Sequence, residues 1–191
     1  MNYLKETIEQ KYSVATIRNN YQSGKKSKFV FFWKPEISKD GRLTESCLGQ
    51  WWKSDFELDG QKYICMEQFM MSGKAKLFGD EEIDREILRA TDPKTIKSLG
   101  RAVRNFDNDV WDRQKFTIVY YGNLLKFSQN NELKEFLLST KNKILVEASP
   151  LDSIWGIKLS AKNIDSNNPM KWRGQNLLGC ALMQVRDELL K

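Results

Sequence analysis

EASPLDSIWGIKLSAKNIDSNNPMKWRGQNLLGCALMQVRDELL, residues 147 to 190, is the stretch from which the rest of the chain is best read. Its second half is an amphipathic helix from about Asn176, with Leu178, Ala181, Leu182, Val185 and Leu189 on one face. Ahead of that helix stand an acid (Asp152), two Trp-plus-Gly pairs (Trp155 with Gly156, Trp172 with Gly174) and the amide of Asn176. Glycine lets backbone approach a ligand closely. Tryptophan offers a flat face with one donor. A helix N-terminus aims free N–H groups at an anion. Together these are parts of a nucleotide or sugar-phosphate pocket. A buried Trp, a turn and a helix cap account for the same residues, and spacing alone leaves both readings open.

Working outward, ILVEA at 144–148 has the apolar, β-branched character of an inner strand, and FVFFW at 29–33 that of another. Asp59-Gly60 joins two short alternating runs and predicts a hairpin, since both central positions of a type I′ turn need positive φ. Residues 1–20 read as a helix through Leu4, Ile8, Val14 and Ile17, followed by a polar linker NNYQSGKKSK. Segment 37–52 reads as loop with a turn at Asp40-Gly41. Helices are predicted over 65–78, from Asp80 through Leu88, from Asp92-Pro93 through Val103, over 108–127 and over 131–140. The sum is a predominantly helical α+β domain, several helices around a small β-sheet.

Composition removes several chemistries. The chain has no histidine, so serine-protease and zinc-hydrolase mechanisms are effectively excluded, and any catalysis rests on carboxylates, lysine or tyrosine. A carboxylate-run reaction at a sugar carbon stays open. Cys47, Cys65 and Cys180 are far apart with no CxxC, which favours neither a metal site nor a disulfide framework and fits a reducing, cytoplasmic setting. No apolar run approaches a membrane span, and the charged N-terminus does not read as a signal peptide. The net charge of +6 favours a phosphate-bearing partner, although the charges are interspersed except at GKKSK, 24–28.

Two constellations could carry chemistry. Glu67 and Lys74 lie seven apart on the 65–78 helix and so project from one face, about 10 Å apart along the axis. An acid and an amine framing such a gap could hold a ribose, and two solvated surface charges would show the same spacing. Asp152 follows Pro150 just beyond the predicted inner strand. Beside a Trp in a partly dry pocket it can stabilise a developing oxocarbenium ion, and it can equally be a turn former. Trp111, after the FDND turn, is either a core anchor or a base-stacking platform.

Taken in order, the blocks CLGQWW (47–52), FELDGQKYICMEQFMMSGKAKLFGD (56–80), DPKTIKSLGRAVRNFDNDVW (92–111), LLKFSQN (124–130), LVEASPLDSIWGI (145–157) and WRGQNLLGCALMQVR (172–186) resemble the NADAR, or YbiA-like, family. The resemblance implies a YbiA-like α+β fold, one domain over 26–191 with a helical extension over 1–25, and no cofactor or metal. It implies cleavage of an N-glycosidic bond to ribose. The substrate would be a phosphorylated ribosylamino-pyrimidine of the riboflavin pathway or ADP-ribosylated guanine in nucleic acid, including DNA. The alternative is a sensor that binds NAD- or ADP-ribose-type nucleotides without turnover. Carried over by position, Glu67, Lys74 and Asp152 are the catalytic candidates, with Trp51, Trp111, Trp155, Gly156, Trp172, Arg173, Gly174 and Asn176 around the substrate. Phosphate is expected where Arg173 and Gly174 meet the last helix, and a Trp on the base. One of Glu67 and Asp152 would stabilise the ribosyl cation while the other orients water or protonates the base. Lys74 would clamp phosphate or act as an amine nucleophile. Two departures from the family pattern stand out: Gly49-Gln50-Trp51 where many members read Ser-Asn-Phe, and Glu67-Gln68 where many read Glu-His. The first points to altered base or ribose contacts. The second shows that an imidazole there is not essential to a shared mechanism.

Overall fold

Local capping chemistry sets the starts of several helices in the computed structural model, which describes residues 4, 6–36, 38, 40 and 42–191. In chain order the elements are α1 (Val14–Gln22), β1 (Phe29–Phe32), β2 (Phe56–Leu58), β3 (Gln61–Tyr63), α2 (Met66–Leu77), α3 (Glu81–Arg89), α4 (Pro93–Arg101), α5 (Asn108–Gln129), α6 (Asn131–Ser139), β4 (Ile144–Glu147) and α7 (Leu177–Leu189). Short 3-10 turns cover Glu45–Leu48, Ile164–Asn167 and Pro169–Lys171. The carboxylates of Asp80, Asp92 and Asp107 accept the third N–H of α3, α4 and α5. Asp59 and Gly60 adopt φ of 52° and 79°, the geometry the predicted hairpin requires.

Two compact units result. The first holds Gln50–Asn130 and the segment up to Ile8. Its centre is α2, which packs against α3, α4 and α5 and buries Met66, Phe69, Met70 and Ala75. The hairpin adds Phe56 and Tyr63, whose rings lie 5.8 and 4.9 Å from that of Phe69. Asp80 also receives the backbone N–H and guanidinium of Arg104, which holds its carboxyl well below the usual carboxylate range.

The second unit holds Glu9–Gly49 and Asn131–Lys191. Here β1 and β4 pair in parallel, from Phe29 opposite Ile144 to Phe32 opposite Glu147. Helix α7 lies against β4 and is buried along most of its length, from Leu177 to Arg186. Helix α1 is fastened by Arg18, which donates to the carbonyls of Pro169 (3.0 Å) and Trp172 (2.6 Å).

The helical α+β class holds, with two differences in detail. The β-structure is not one small sheet but two separate two-stranded pairs, β1 with β4 and β2 with β3. The first helix begins at Val14, where Ser13 caps it by accepting from Thr16, and runs through Gln22 into the segment read as linker. Residues 6–13 are not helical, because backbone groups there bond to distant side chains. Ile8 N–H donates to Thr117, Lys11 N–H to Gln184, and Gln184 donates back to the Glu9 carbonyl. The Asp40-Gly41 turn lies partly outside the described residues, Gly41 being one of those not described. No described helix is long and apolar enough to cross a membrane.

Candidate active site

In the first unit, the start of α2 carries an acid inward. Glu67 is only 2% exposed, and its backbone N–H donates to the Gln50 carbonyl at 2.9 Å. This excludes the solvated surface charge that the same spacing allowed. Lys126, on α5, is fully buried. Glu67 and Lys126 both act electrostatically on the Cys65 thiol, Glu67 raising and Lys126 lowering its pKa, while burial as the larger influence pushes it up. An acid and a lysine therefore share the interior around Cys65. Among the described residues, the Gln50 side-chain oxygen, also buried, finds no hydrogen-bond partner. A buried acceptor beside the Glu67 backbone is available to a ligand donor.

Two turns along α2, Lys74 is framed rather than solvated. Its Nζ donates to the Gly100 carbonyl at 2.7 Å and lies 4.1 Å from the Phe106 ring centroid and 5.7 Å from that of Trp111. Burial pulls its pKa below the ordinary lysine value. Trp111 is half-buried, so its role as one wall of this frame and as a packing residue coexist. Trp51 is half-buried with the Lys97 ammonium 5.8 Å over its ring. Gln68 is consumed structurally: it accepts from Ile64 N–H and donates to the Ile87 and Ala90 carbonyls, tying hairpin and α3 to α2.

The remaining candidates lie in the second unit. Asp152 Oδ1 accepts from the N–H groups of Ile154 and Trp155, both at 2.8 Å, so this acid shapes the loop after Pro150. Trp155 and Trp172 are buried, and the Trp172 indole N–H donates to the Ser166 carbonyl at 2.7 Å. Gly174 is glycine because a Cβ would sit 2.1 Å from the Gly156 carbonyl oxygen. The close approach that glycine permits here is to the chain's own backbone. The open helix N-terminus expected for phosphate is not found. Leu177 and Leu178 N–H donate to the Ile154 and Trp155 carbonyls, and Gln175 and Asn176 N–H to those of Ser153 and Gly156. Arg173 is exposed, but the backbone donors beside it are committed to the 153–157 loop.

Asn176 explains why that loop is so placed. It takes the left-handed conformation (φ 49°), its Oδ1 accepts from Glu147 N–H, and its Nδ2 donates to the Leu145 carbonyl, both at 2.9 Å. A side-chain amide thus completes the edge of β4 where a third strand would lie. Asn176→Asp keeps the acceptor and turns an oxygen toward the Leu145 carbonyl, which disfavours the charged form and raises the folded-state pKa above the unfolded one. The expected loss is about 2 kcal/mol at neutral pH. It should fade as pH falls toward the unfolded carboxylate value, because the protonated acid can donate again. Paired thermal melts of variant and native protein across pH check this, and a deficit independent of pH would sink it.

Residues 31–190 match the model of the NADAR domain. The chain belongs to the NADAR family. Within that family it is 45% identical to N-glycosidase R617 of Acanthamoeba polyphaga mimivirus over 166 residues, covering 84% of this chain and 96% of that protein. A 113-residue stretch, 57% of this chain, is 34% identical to the chloroplastic riboflavin biosynthesis protein PYRR of Zea mays and spans 16% of that protein. The NMR structure of the E. coli protein YbiA superposes with a TM-score of 0.66 at 24% identity, covering 86% of each chain, and so shares the fold.

The NADAR blocks contain Lys74 and Trp111, and the departure at Gly49-Gln50-Trp51 drew attention to Gln50, but nothing in them singled out Phe106 or Lys126. Phe106 had a legible signal. With Asp107 as N-cap, Phe106 and Trp111 stand at the two positions of a hydrophobic staple, and both rings flank the Lys74 ammonium. Lys126 carries no such mark, because a buried lysine on a helix has the same sequence context as a solvated one.

Proposed function

We propose that the protein is a ribosyl N-glycosidase whose chemistry is run by Glu67 and Lys74 on α2. The observation that carries this reading is the pairing, on one helix, of a buried carboxylate with a lysine in an aromatic frame whose proton is loosened by burial. As the C1′–N bond breaks, its electron pair leaves with nitrogen and positive charge builds on the ribosyl ring. A carboxylate in a dry site stabilises that charge far more than one in water. We assign Glu67 to this role, with the orphan Gln50 oxygen accepting from a ribose hydroxyl or the leaving base. We assign Asp152 to fixing its loop, with Trp155, Gly156, Trp172, Gly174 and Asn176 holding the same segment. Trp111 and Trp51 offer stacking faces.

Lys74 is assigned as the amine nucleophile. Its neutral form attacks C1′ as the base nitrogen departs with the bond's electron pair and takes up a proton. The ring of the resulting glycosylamine opens, O4′ taking a proton, to an iminium that water hydrolyses to free the sugar aldehyde and regenerate the amine. The reacting form is deprotonated, so kcat/KM should rise with pH through the lowered Lys74 pKa. Borohydride added during turnover should reduce the iminium to a stable sugar–protein adduct, detected by mass and absent in Lys74→Ala. Turnover without any adduct would return Lys74 to a phosphate-clamping part.

The substrate class favoured is a phosphorylated ribosylamino-pyrimidine, supported by the similarity to the maize riboflavin-biosynthesis protein. The basic charge supports a second reading, ADP-ribosylated guanine in nucleic acid. Incubation with each, followed by detection of released sugar, separates them. Binding of either without release would identify a sensor instead.

A further inference from the structure

The second unit has a groove of about 770 Å³ that the glycosidase reading does not use. Lys25, Lys26, Lys28 and Lys143 line it, and no carboxylate does. The fold puts the last two side by side: Lys28 precedes β1 and Lys143 precedes β4, and the parallel register opens with Phe29 opposite Ile144. The Ile144 N–H donates to the Lys28 carbonyl, and the Lys143 carbonyl accepts from the buried Arg186, so both backbones are fixed. None of the four lysines makes an ion pair among the described residues. Nor are they needed to satisfy the end of α1, because Ser23, Gly24 and Lys25 N–H groups already take the Asn19, Tyr21 and Asn20 carbonyls. Four like charges gathered without a counter-charge repel one another and call for an anionic partner.

We propose that this groove binds the phosphodiester backbone of single-stranded nucleic acid. The charges stand on flexible, largely exposed ammonium groups, which suits a row of repeating phosphates better than one tightly caged phosphate. Tyr21, 42% exposed, and the half-buried Phe29 lie among them and offer ring faces to unpaired bases, which a duplex conceals. Asn167 adds an amide to the rim. Lys25, Lys26 and Lys28 precede the segment that matches the family, whereas Lys143 and Asn167 lie within it.

Fluorescence anisotropy with labelled oligothymidylate tests the inference on the full chain. Binding should weaken with salt at about −0.7 in the log–log slope per phosphate engaged, so about −2 to −3 in all. The triple change Lys25→Glu, Lys26→Glu, Lys28→Glu should cost at least about tenfold in affinity. The charge-matched triple Lys62→Glu, Lys94→Glu, Lys162→Glu, at exposed positions elsewhere, should cost much less. Equal losses in the two triples would show non-specific charge attraction and overturn the site. Absence of oligonucleotide binding, displacement by inorganic phosphate at matching phosphate concentration, or a preference for phosphatidylserine vesicles would each overturn it too. The groove triple should retain native turnover of the ribosylamino-pyrimidine. Should the native protein bind oligonucleotide yet cleave neither proposed substrate, the groove stands while the glycosidase assignment falls.

Discussion

Glu67→Gln should lower kcat/KM for N-glycosidic cleavage by about 10²–10⁴-fold while the protein keeps its fold. Gln matches the shape of Glu but carries no charge, so it removes the stabilisation of a ribosyl cation without opening a cavity. The effect should be large because the side chain is only 2% exposed and its field is poorly screened. The α2 backbone is held at this point by the Glu67 N–H bond to Gln50, which the substitution leaves in place. The measurement is steady-state kinetics beside a melting curve and near-ultraviolet circular dichroism. Native-like spectra with native turnover would move the cation-stabilising role away from Glu67. A loss of activity accompanied by loss of the spectrum would mark its role as structural instead.

Gly174→Ala should be among the most disruptive single methyl additions in the second unit. The new carbon would lie 2.1 Å from the Gly156 carbonyl oxygen and 3.0 Å from both the Gly156 carbonyl carbon and the Ser153 Cα. All three are backbone atoms, so no rotamer change relieves the clash. The 153–157 loop would have to withdraw from the start of α7 and give up N–H bonds such as Asn176 to Gly156 and Arg173 to Ile157. Overpacking of this kind costs about 3 kcal/mol or more, a fall of roughly 6–12 °C in Tm for a chain of this size. Differential scanning calorimetry reads it directly. A melting temperature unchanged from native would show that the loop and helix are not packed backbone to backbone.

Signals that act over four residues or fewer were legible in the sequence. Asp80 and Asp92 announce helix starts because a carboxylate three residues ahead of an N–H can cap it, and Asp59-Gly60 announces a hairpin because few other pairs tolerate its φ values. What stayed hidden depends on partners far away in the chain. Residues 6–12 read as helical by apolar spacing, yet Thr117 and Gln184 offer their backbone better bonds than a solvated helix would. The glycines at 156 and 174 were conspicuous, but nothing local says that Gly156 makes room for the Glu147 carbonyl and Gly174 for that of Gly156 rather than for a ligand. The same holds for the start of α7, whose N–H groups look available until the 153–157 carbonyls are placed. At the site, Glu67 and Lys74 were legible from spacing and family resemblance. The depth of Glu67 and the Phe106 wall were not, because burial depends on how α4 and α5 close over α2.

The amide of Asn176 has a bearing on biosynthesis as well as on the finished fold. While a ribosome is still making the residues after Glu147, β4 can find β1, yet its far margin has open peptide groups that any neighbouring polypeptide can grip. Ile157 can cover the Glu147 carbonyl earlier, but the rest of that margin closes once residue 176 has emerged and α7 has swung in behind it. A stop codon or a stalled ribosome between those two points would release a half-finished sheet with an adhesive side, a ready substrate for chaperones or for coaggregation.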